Sequence, residues 1–320
     1  MRTERKPADG VMLMAYGAPA SLEEVPEFYT HIRGGRRPPP DRIEELRGRY
    51  AAMGDCASLL RITDRLAARL QERLDAEEGP AVLVFTGMRH SRPFIHERMA
   101  GVEAAGIRRL VGLPLAPHFS TLSVGAYHKA IVEAAAALAN PPELILVHHY
   151  HDHPGLVAAF SGILAATAAR IRDETAAPVR VVFTAHSLPE RILAAGEPYR
   201  DQLLETARLV AEMAGESDWE FAFQSASPTG EPWMGPDFLD VIRRLGREGP
   251  RAALIAPVGF LADHLEILHD VDILARRVAA EAGVALWRTP SLNDSAGFVG
   301  TLAQITRDHL GESRDRSAGR

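Results

Sequence analysis

A doubly wound α/β protein built from two similar halves is the fold class this sequence predicts, and three observations predict it. Short apolar runs of strand length alternate with longer stretches of helical periodicity along the whole chain, and parallel neighbours joined this way need crossover helices. The segment Ala15-Tyr16-Gly17-Ala18-Pro19 has a counterpart in Ala185-His186-Ser187-Leu188-Pro189: strand, alanine, polar ring, two residues, then a proline suited to a helix start. The chain's 320 residues, 46% hydrophobic and 24% charged, are enough for two globular cores.

The elements follow in order. Residues Met1 to Gly10 are charged and read as a disordered leader, and Val11 to Ala15 is the first buried strand. Helix is expected over Ser21 to Ile32, then a basic, proline-stiffened loop from Arg33 to Pro40, then helix over Asp41 to Met53. A further helix from Ser58 to Glu77 carries Leu59, Ile62, Leu66 and Leu70 on one face. The strand Ala81 to Thr86 ends at the polar cluster Gly87-Met88-Arg89-His90, and helix covers Pro93 to Ala105. A strand from Arg109 to Leu115 leads through His118 into a helix reaching Ala139, and Leu144 to Val147 is the next strand. Helix over Leu156 to Arg172 precedes the strand that ends at His186, and helix over Gln202 to Met213 precedes a strand near Phe221. A loop rich in Ser, Pro and Gly, Ser225 to Pro236, carries Trp233. The strand Ala252 to Pro257 leads to a helix beginning near Ala262, with Asp263, Glu266 and Asp270 on one face and Ile267, Val271, Leu274 and Val278 as the docking stripe. A strand from Val284 to Trp287, a helix from Ala296 to His309 and a disordered polar tail complete the chain.

Composition narrows the function. A net charge of -6 without a long basic run argues against nucleic acid, and no apolar run approaches the roughly 18 residues of a membrane span. Cys56 stands alone, which excludes an intramolecular disulfide and a four-thiolate iron–sulfur cluster within one chain and fits a reducing, cytoplasmic setting. Neither a glycine-rich dinucleotide fingerprint nor a P-loop is present. In the run His148-His149-Tyr150-His151-Asp152-His153 the side chains are expected to splay to different faces where a strand gives way to a loop, so surface histidines are favoured over a specific metal site.

What remains are polar residues delivered to carboxyl ends of strands, where open α/β sheets place their ligands. His186 and Glu266 do this in the second half, and Tyr16, His90 and His118 in the first. A neutral imidazole beside a carboxylate can bind a divalent metal and accept protons; the competing reading is a histidine that caps a helix or satisfies a core hydrogen bond.

These stretches resemble one known family over nearly the whole chain. Met14-Ala15-Tyr16-Gly17-Ala18-Pro19, Tyr29-Thr30-His31-Ile32-Arg33, Leu115-Ala116-Pro117-His118-Phe119-Ser120-Thr121, Thr184-Ala185-His186-Ser187-Leu188-Pro189, Pro232-Trp233-Met234-Gly235-Pro236 and Val258-Gly259-Phe260 through Asp263-His264-Leu265-Glu266 are similar to the ferrochelatases, above all the soluble bacterial coproporphyrin ferrochelatases. The resemblance implies two Rossmann-like domains enclosing a porphyrin cleft, residues 1–116 plus 296–320 forming one and 117–295 the other. It implies insertion of iron(II) into coproporphyrin III to give coproheme III in haem biosynthesis. A protoporphyrin IX ferrochelatase, another tetrapyrrole chelatase and a non-catalytic tetrapyrrole or metal carrier are the alternatives.

The roles it implies are His186 and Glu266 on one face of the macrocycle, as catalytic groups and metal ligands, and Tyr16 on the other. Asp270 and His269 extend the metal set outward; Met14, Ile32 and Trp233 grip the ring; and Arg33, Arg49 and Tyr127 meet the propionates. Iron(II) is then a substrate, no resident cofactor is expected, and porphyrin and iron are the ligands of a monomer, with haem-pathway enzymes as further partners. The chain departs from the family pattern three times: Gly54-Asp55-Cys56-Ala57-Ser58-Leu59 lacks an expected serine contact, Leu274 replaces an outer carboxylate, and the lone Cys56 cannot hold the iron–sulfur cluster that some relatives carry.

Overall fold

The computed structural model describes residues 9–175, 178–227, 230–248 and 252–318. The leader expectation therefore lies largely outside the described residues, and Asp9 and Gly10 already belong to the first strand.

The N-terminal part contains β1 (Asp9–Ala15), α1 (Val25–Ile32), α2 (Pro40–Met53), α3 (Ser58–Ala76), β2 (Val82–Met88), α4 (Ile95–Ala104), β3 (Arg109–Pro114), α5 (Val124–Ala136) and β4 (Glu143–Leu146). There follow α6 (Pro154–Thr175), β5 (Val179–His186), α7 (Arg191–Ala194), α8 (Tyr199–Ala214), β6 (Trp219–Gln224), α9 (Phe238–Glu248) and β7 (Ala252–Ala256). The chain ends with α10 (Leu265–Leu268), a π-helix over Asp270–Ala275, α11 (Arg276–Ala282), β8 (Ala285–Arg288) and α12 (Ala296–Ala318).

Two four-stranded, wholly parallel sheets result, ordered β2-β1-β3-β4 and β6-β5-β7-β8. The second repeats the strand order of the first, so Tyr16 and His186 sit at the ends of equivalent central strands, as the repeated proline motif predicts. In each sheet the strand order reverses beside that strand, between β1 and β3 and between β5 and β7, which is the topological switch point of an α/β sheet.

The chain divides into two compact units, one running up to Pro117 and adding 121–149 and 293–320, the other holding 118–120 and 150–292. This corrects the expected boundary at residue 117. β4 pairs with β3, Arg109 opposite Glu143 and Leu110 opposite Leu144, so α5 and β4 complete the first sheet. In the first unit Met12, Met14, Met99, Leu110, Tyr127 and Ile131 share a buried cluster between β-sheet and helices.

In the second unit Val182, Ile255, Phe238, Ile242, Ile267, Val271, Ala275 and Val278 pack together. Three of these residues, Phe238, Ile242 and Ala275, were not anticipated there. Helix α9 buries Phe238, Val241, Ile242 and Leu245 at helical spacing, although the sequence reading assigned no helix there. In the π-helix the wider turn carries Ala275 onto the core where an α-helix would have carried Leu274, which is only half buried.

Two further expectations change. α12 continues to Ala318, well past His309, and Gly319 and Arg320 lie outside the described residues. α6 is long and apolar enough to cross a membrane by length and composition alone. It instead buries Leu156, Val157, Phe160, Leu164, Ala168 and Ile171, and Ser161 Oγ donates to the Val157 carbonyl, the pattern of a core helix.

Candidate active site

In the second unit, the sequence of β5 delivers one polar residue after a run of buried ones: Val181, Val182, Phe183 and Ala185 are all fully buried, and half-buried His186 closes the strand. Its Nδ1 lies 2.5 Å from the carbonyl of Ser187, so Nδ1 carries the proton and donates. Nε2 is then left as a lone pair, the form able to accept a proton or ligate a metal. The backbone beneath is pinned by Tyr199, whose hydroxyl donates to the His186 carbonyl at 3.0 Å.

Gln224, the last residue of β6, is the register partner of His186. Its carbonyl accepts from the Ser187 amide at 2.8 Å, and its side-chain Nε2 donates to the Glu266 carbonyl, also at 2.8 Å. One buried glutamine thus ties the histidine strand to the first turn of α10, where Glu266 projects. Gln224 Oε1 and Thr184 Oγ1 are buried without a hydrogen-bond partner among the described residues. Thr184 lies on the same sheet face as His186, two residues before it.

The approach of α10 depends on Gly259. A Cβ there would lie 2.3 Å from the Cβ of Ala185 and 2.7 Å from its Cα. Only a glycine lets the segment after β7 cross β5 so closely, where the Gly259 amide donates to the Thr184 carbonyl at 3.0 Å.

Glu266 has His264 beside it, the Nε2 3.1 Å from the carboxylate; further along the segment Asp270 accepts from Ser225 Oγ at 2.8 Å and from His269 Nδ1 at 2.9 Å. Ser225 adopts φ +63°, a left-handed conformation unusual for a side-chain-bearing residue, and turns its hydroxyl to Asp270. The helix expected from Ala262 starts only at Leu265, with His264 as its N-cap residue. Asp263 accepts from Ser291 Oγ at 2.7 Å and pairs with Arg288, which also grips Asp272 through two nitrogens at 2.9 and 2.8 Å. Trp233 is half buried, its ring centroid 6.5 Å from that of His186.

In the first unit, Tyr16 follows β1 and is exposed, with its ring 4.5 Å from His90. Gly17, at φ +95°, makes the turn beyond it; a Cβ there would strike Ser91 Oγ at 2.4 Å, the oxygen that accepts from the Ala18 amide. His90 and His31 bring their Nδ1 atoms to 3.0 Å. Burial, the Arg89 guanidinium and His31 push the pKa of His90 down to about 3, so it is neutral at physiological pH.

Of the proposed ring and propionate contacts, Ile32 is half buried at the end of α1, Arg33 exposed at its C-cap and Arg49 half buried on α2. Met14 and Tyr127 are buried in the core, and the Arg89 guanidinium stands 6.0 Å from the Tyr127 ring. Burial pushes the Tyr127 phenol well above its ordinary value. His118, expected with the strand-end rings, is fully buried in the second unit with Nε2 2.9 Å from Thr206 Oγ1.

The family model described as Ferrochelatase matches residues 8–310. This chain belongs to the ferrochelatase family. Among its relatives, a ferrochelatase of Herpetosiphon aurantiacus is 42% identical, covering 92% of this chain and 97% of the relative. The coproporphyrin III ferrochelatase of Geobacillus kaustophilus is 37% identical (97% and 99% covered), and that of Bacillus subtilis 36% (94% and 98%). Among solved structures, SirB from Bacillus subtilis with Fe3+ superposes with a TM-score of 0.60 at 11% identity, covering 96% of this chain and 97% of that one, a likeness of fold.

As a ferrochelatase the chain is a metal-insertion enzyme acting on porphyrin, and residues absent from the sequence reading of its site gain importance. Gln224 was detectable by the same rule that found His186, a polar residue ending an apolar strand. His31 gave no such signal, because its neighbour His90 is 59 residues away.

Proposed function

We propose that this enzyme inserts iron(II) into coproporphyrin III to give coproheme III, with His186 and Glu266 carrying the chemistry. The observation that carries the reading is the Gln224 tether, which couples a lone-pair imidazole to a carboxylate beside the switch point of one sheet. Metal insertion releases two pyrrole protons as the ring nitrogens replace the ion's other ligands. Nε2 of His186 accepts a proton, and Glu266 with His264 passes protons outward. Asp270 and His269 extend the route taken by the arriving metal. The neutral His90 beside Tyr16 offers further uncharged donors and acceptors to the macrocycle.

The substrate assignment is supported by relatives named for coproporphyrin III at 36–38% identity. Its four propionates call for cations, and Arg33 and Arg49 are the proposed partners. Tyr127, buried beneath Arg89, holds that guanidinium rather than a propionate. We further infer a cytoplasmic enzyme without a resident cofactor, in keeping with the single thiol, Cys56.

Anaerobic assays with iron(II) and each porphyrin, followed by the Soret and visible bands, test the reading. His186→Ala is expected to abolish insertion while leaving porphyrin binding intact. Arg33→Ala is expected to weaken coproporphyrin binding about ten- to a hundredfold, and protoporphyrin IX less. Full turnover by His186→Ala removes the histidine from the chemistry; equal affinity for both porphyrins removes the substrate assignment.

A further inference from the structure

The histidine run at 148–153 divides between packing tasks. Exposed His148 meets His128 edge-on with ring centroids 4.8 Å apart, and His151, expected at the surface, is buried and donates from Nε2 to Glu205 at 2.9 Å. A largely buried cation in the second unit has the larger consequence. Arg288 ends β8, one edge of the β6-β5-β7-β8 sheet, and its side chain is only 14% exposed. Nε and one terminal nitrogen donate to the two Asp272 oxygens at 2.9 and 2.8 Å, a bidentate pairing. The other terminal nitrogen reaches Asp263 Oδ1 at 3.3 Å and the Thr289 carbonyl at 3.1 Å. One guanidinium therefore holds both ends of the stretch 263–272, in which Glu266 and Asp270 lie.

We propose that Arg288 is a positioning residue for metal insertion, setting Glu266 through Asp263 and Asp270 through Asp272. The inference rests on the reading that Glu266 and Asp270 handle the metal. Its basis is how the stretch is gripped. At the β6 edge of the sheet Gln224 donates to the Glu266 carbonyl and Ser225 to the Asp270 carboxylate. β8 is the opposite edge, so the stretch spans the carboxyl ends of the strands and is fastened at each side. α10 has four residues and the π-helix six, too few to hold their shape on internal hydrogen bonds alone.

Without the guanidinium, Asp263 and Asp272, each side chain 24% exposed, become two like charges with little solvent around them. They then turn outward and take the adjoining backbone with them. Lysine is no substitute, because a single ammonium lacks the planar fork that spans two carboxylates. The two carboxylates divide the task by position: Asp263 precedes the turn that carries Glu266, and Asp272 lies in the π-helix with Asp270. Loss of the first contact should reach the chemical step, and loss of the second the approach of the ion.

The test is anaerobic steady-state kinetics on the full-length enzyme, with iron(II) and coproporphyrin III varied in turn and folding checked by circular dichroism. Arg288→Lys is expected to lower kcat/KM for iron by about tenfold or more, while the KM for porphyrin changes less than about twofold. Asp263→Asn should lower kcat by about five- to tenfold with the KM for iron little altered, and Asp272→Asn should raise that KM by about the same factor with kcat little altered. A clamp serving stability alone would lower the thermal midpoint of both Asp variants without dividing kcat from KM in this way; that result overturns the proposal, as does parent-like insertion by Arg288→Lys. Glu266→Gln and Asp270→Asn keep the two ideas apart. If both insert iron at the parent rate, the reading of the site fails and the proposal with it; if they are impaired while the Arg288, Asp263 and Asp272 variants are not, only the clamp fails.

Discussion

An alanine at Gly259 would press its methyl group into Ala185, one residue before His186. Neither backbone can yield without shifting the other, since the Gly259 amide is bonded to the Thr184 carbonyl. We expect Gly259→Ala to cost about 1–3 kcal/mol of stability and to lower the insertion rate at least tenfold by displacing the segment that carries Glu266, measurable by denaturant unfolding and steady-state kinetics. Gln224→Leu separates the two effects: it keeps side-chain bulk but leaves the Glu266 carbonyl without its donor. Insertion should slow about ten- to a hundredfold with the KM for porphyrin little altered, and a parent-like kcat would show the tether to be dispensable. At this scale the sequence was readable where a residue's own chemistry announces itself. His186 and Glu266 stand out as polar groups at strand ends. Gly259 does not, because its role exists only in the distance between two segments 74 residues apart (259 − 185).

The π-helix shows the same limit one level up. Ile267, Val271 and Val278 were placed correctly on the buried face by α-helical spacing, but the fourth buried position is Ala275, not Leu274. A π turn holds one residue more than an α turn, and nothing in the local pattern distinguishes the two. The extra residue lets Glu266 and Asp270 keep their partners while the downstream helix docks through Val278 and Ala279. Deleting exposed Ile273 should replace the π turn by an α turn with one residue fewer, keeping the downstream apolar face in register while re-aiming Asp270 and its neighbours within the altered turn. Helix content by circular dichroism should persist while insertion activity is lost. Retained activity would mean that the π turn has no bearing on the site. Helix α9, by contrast, is legible in the sequence from the helical spacing of Phe238, Val241, Ile242 and Leu245.

For the molecule as a whole, the alternation of strands and helices and the duplicated proline motif were enough to foresee two parallel sheets. Membership of β4 and α5 was not, because strand pairing decides it and sequence adjacency does not. Each unit also buries a neutral histidine, His90 in one and His118 in the other, both held at a pKa of about 3 chiefly by burial. Above pH 6.5 neither affects stability, since the unfolded chain is neutral there too. Below it the unfolded chain takes up protons that the native state refuses, so stability falls as pH drops toward 3. At pH 5 the loss is about 2 kcal/mol per histidine. The thermal midpoint should therefore fall between pH 7 and pH 5, and fall less steeply in His118→Gln. Parallel slopes for the two proteins would show that His118 is not the group responsible.

Helix α12 returns to the first unit from the far end of the chain. Arg307 donates to the carbonyls of Leu74 and Pro80, Arg65 pairs with Asp294 just ahead of the helix, and the Leu310 carbonyl accepts from Arg109 of β3. Phe298, Leu302 and Ile305 fill the core beneath. A ribosome releases residues in order, so the second unit, nearly all of it a continuous stretch from Tyr150 to Leu292, has its full complement before the first unit does. The sheet that is made first is covered last, and while translation proceeds it must wait with the apolar surface that Phe298, Leu302 and Ile305 will cover still open to chaperones or to a second nascent chain.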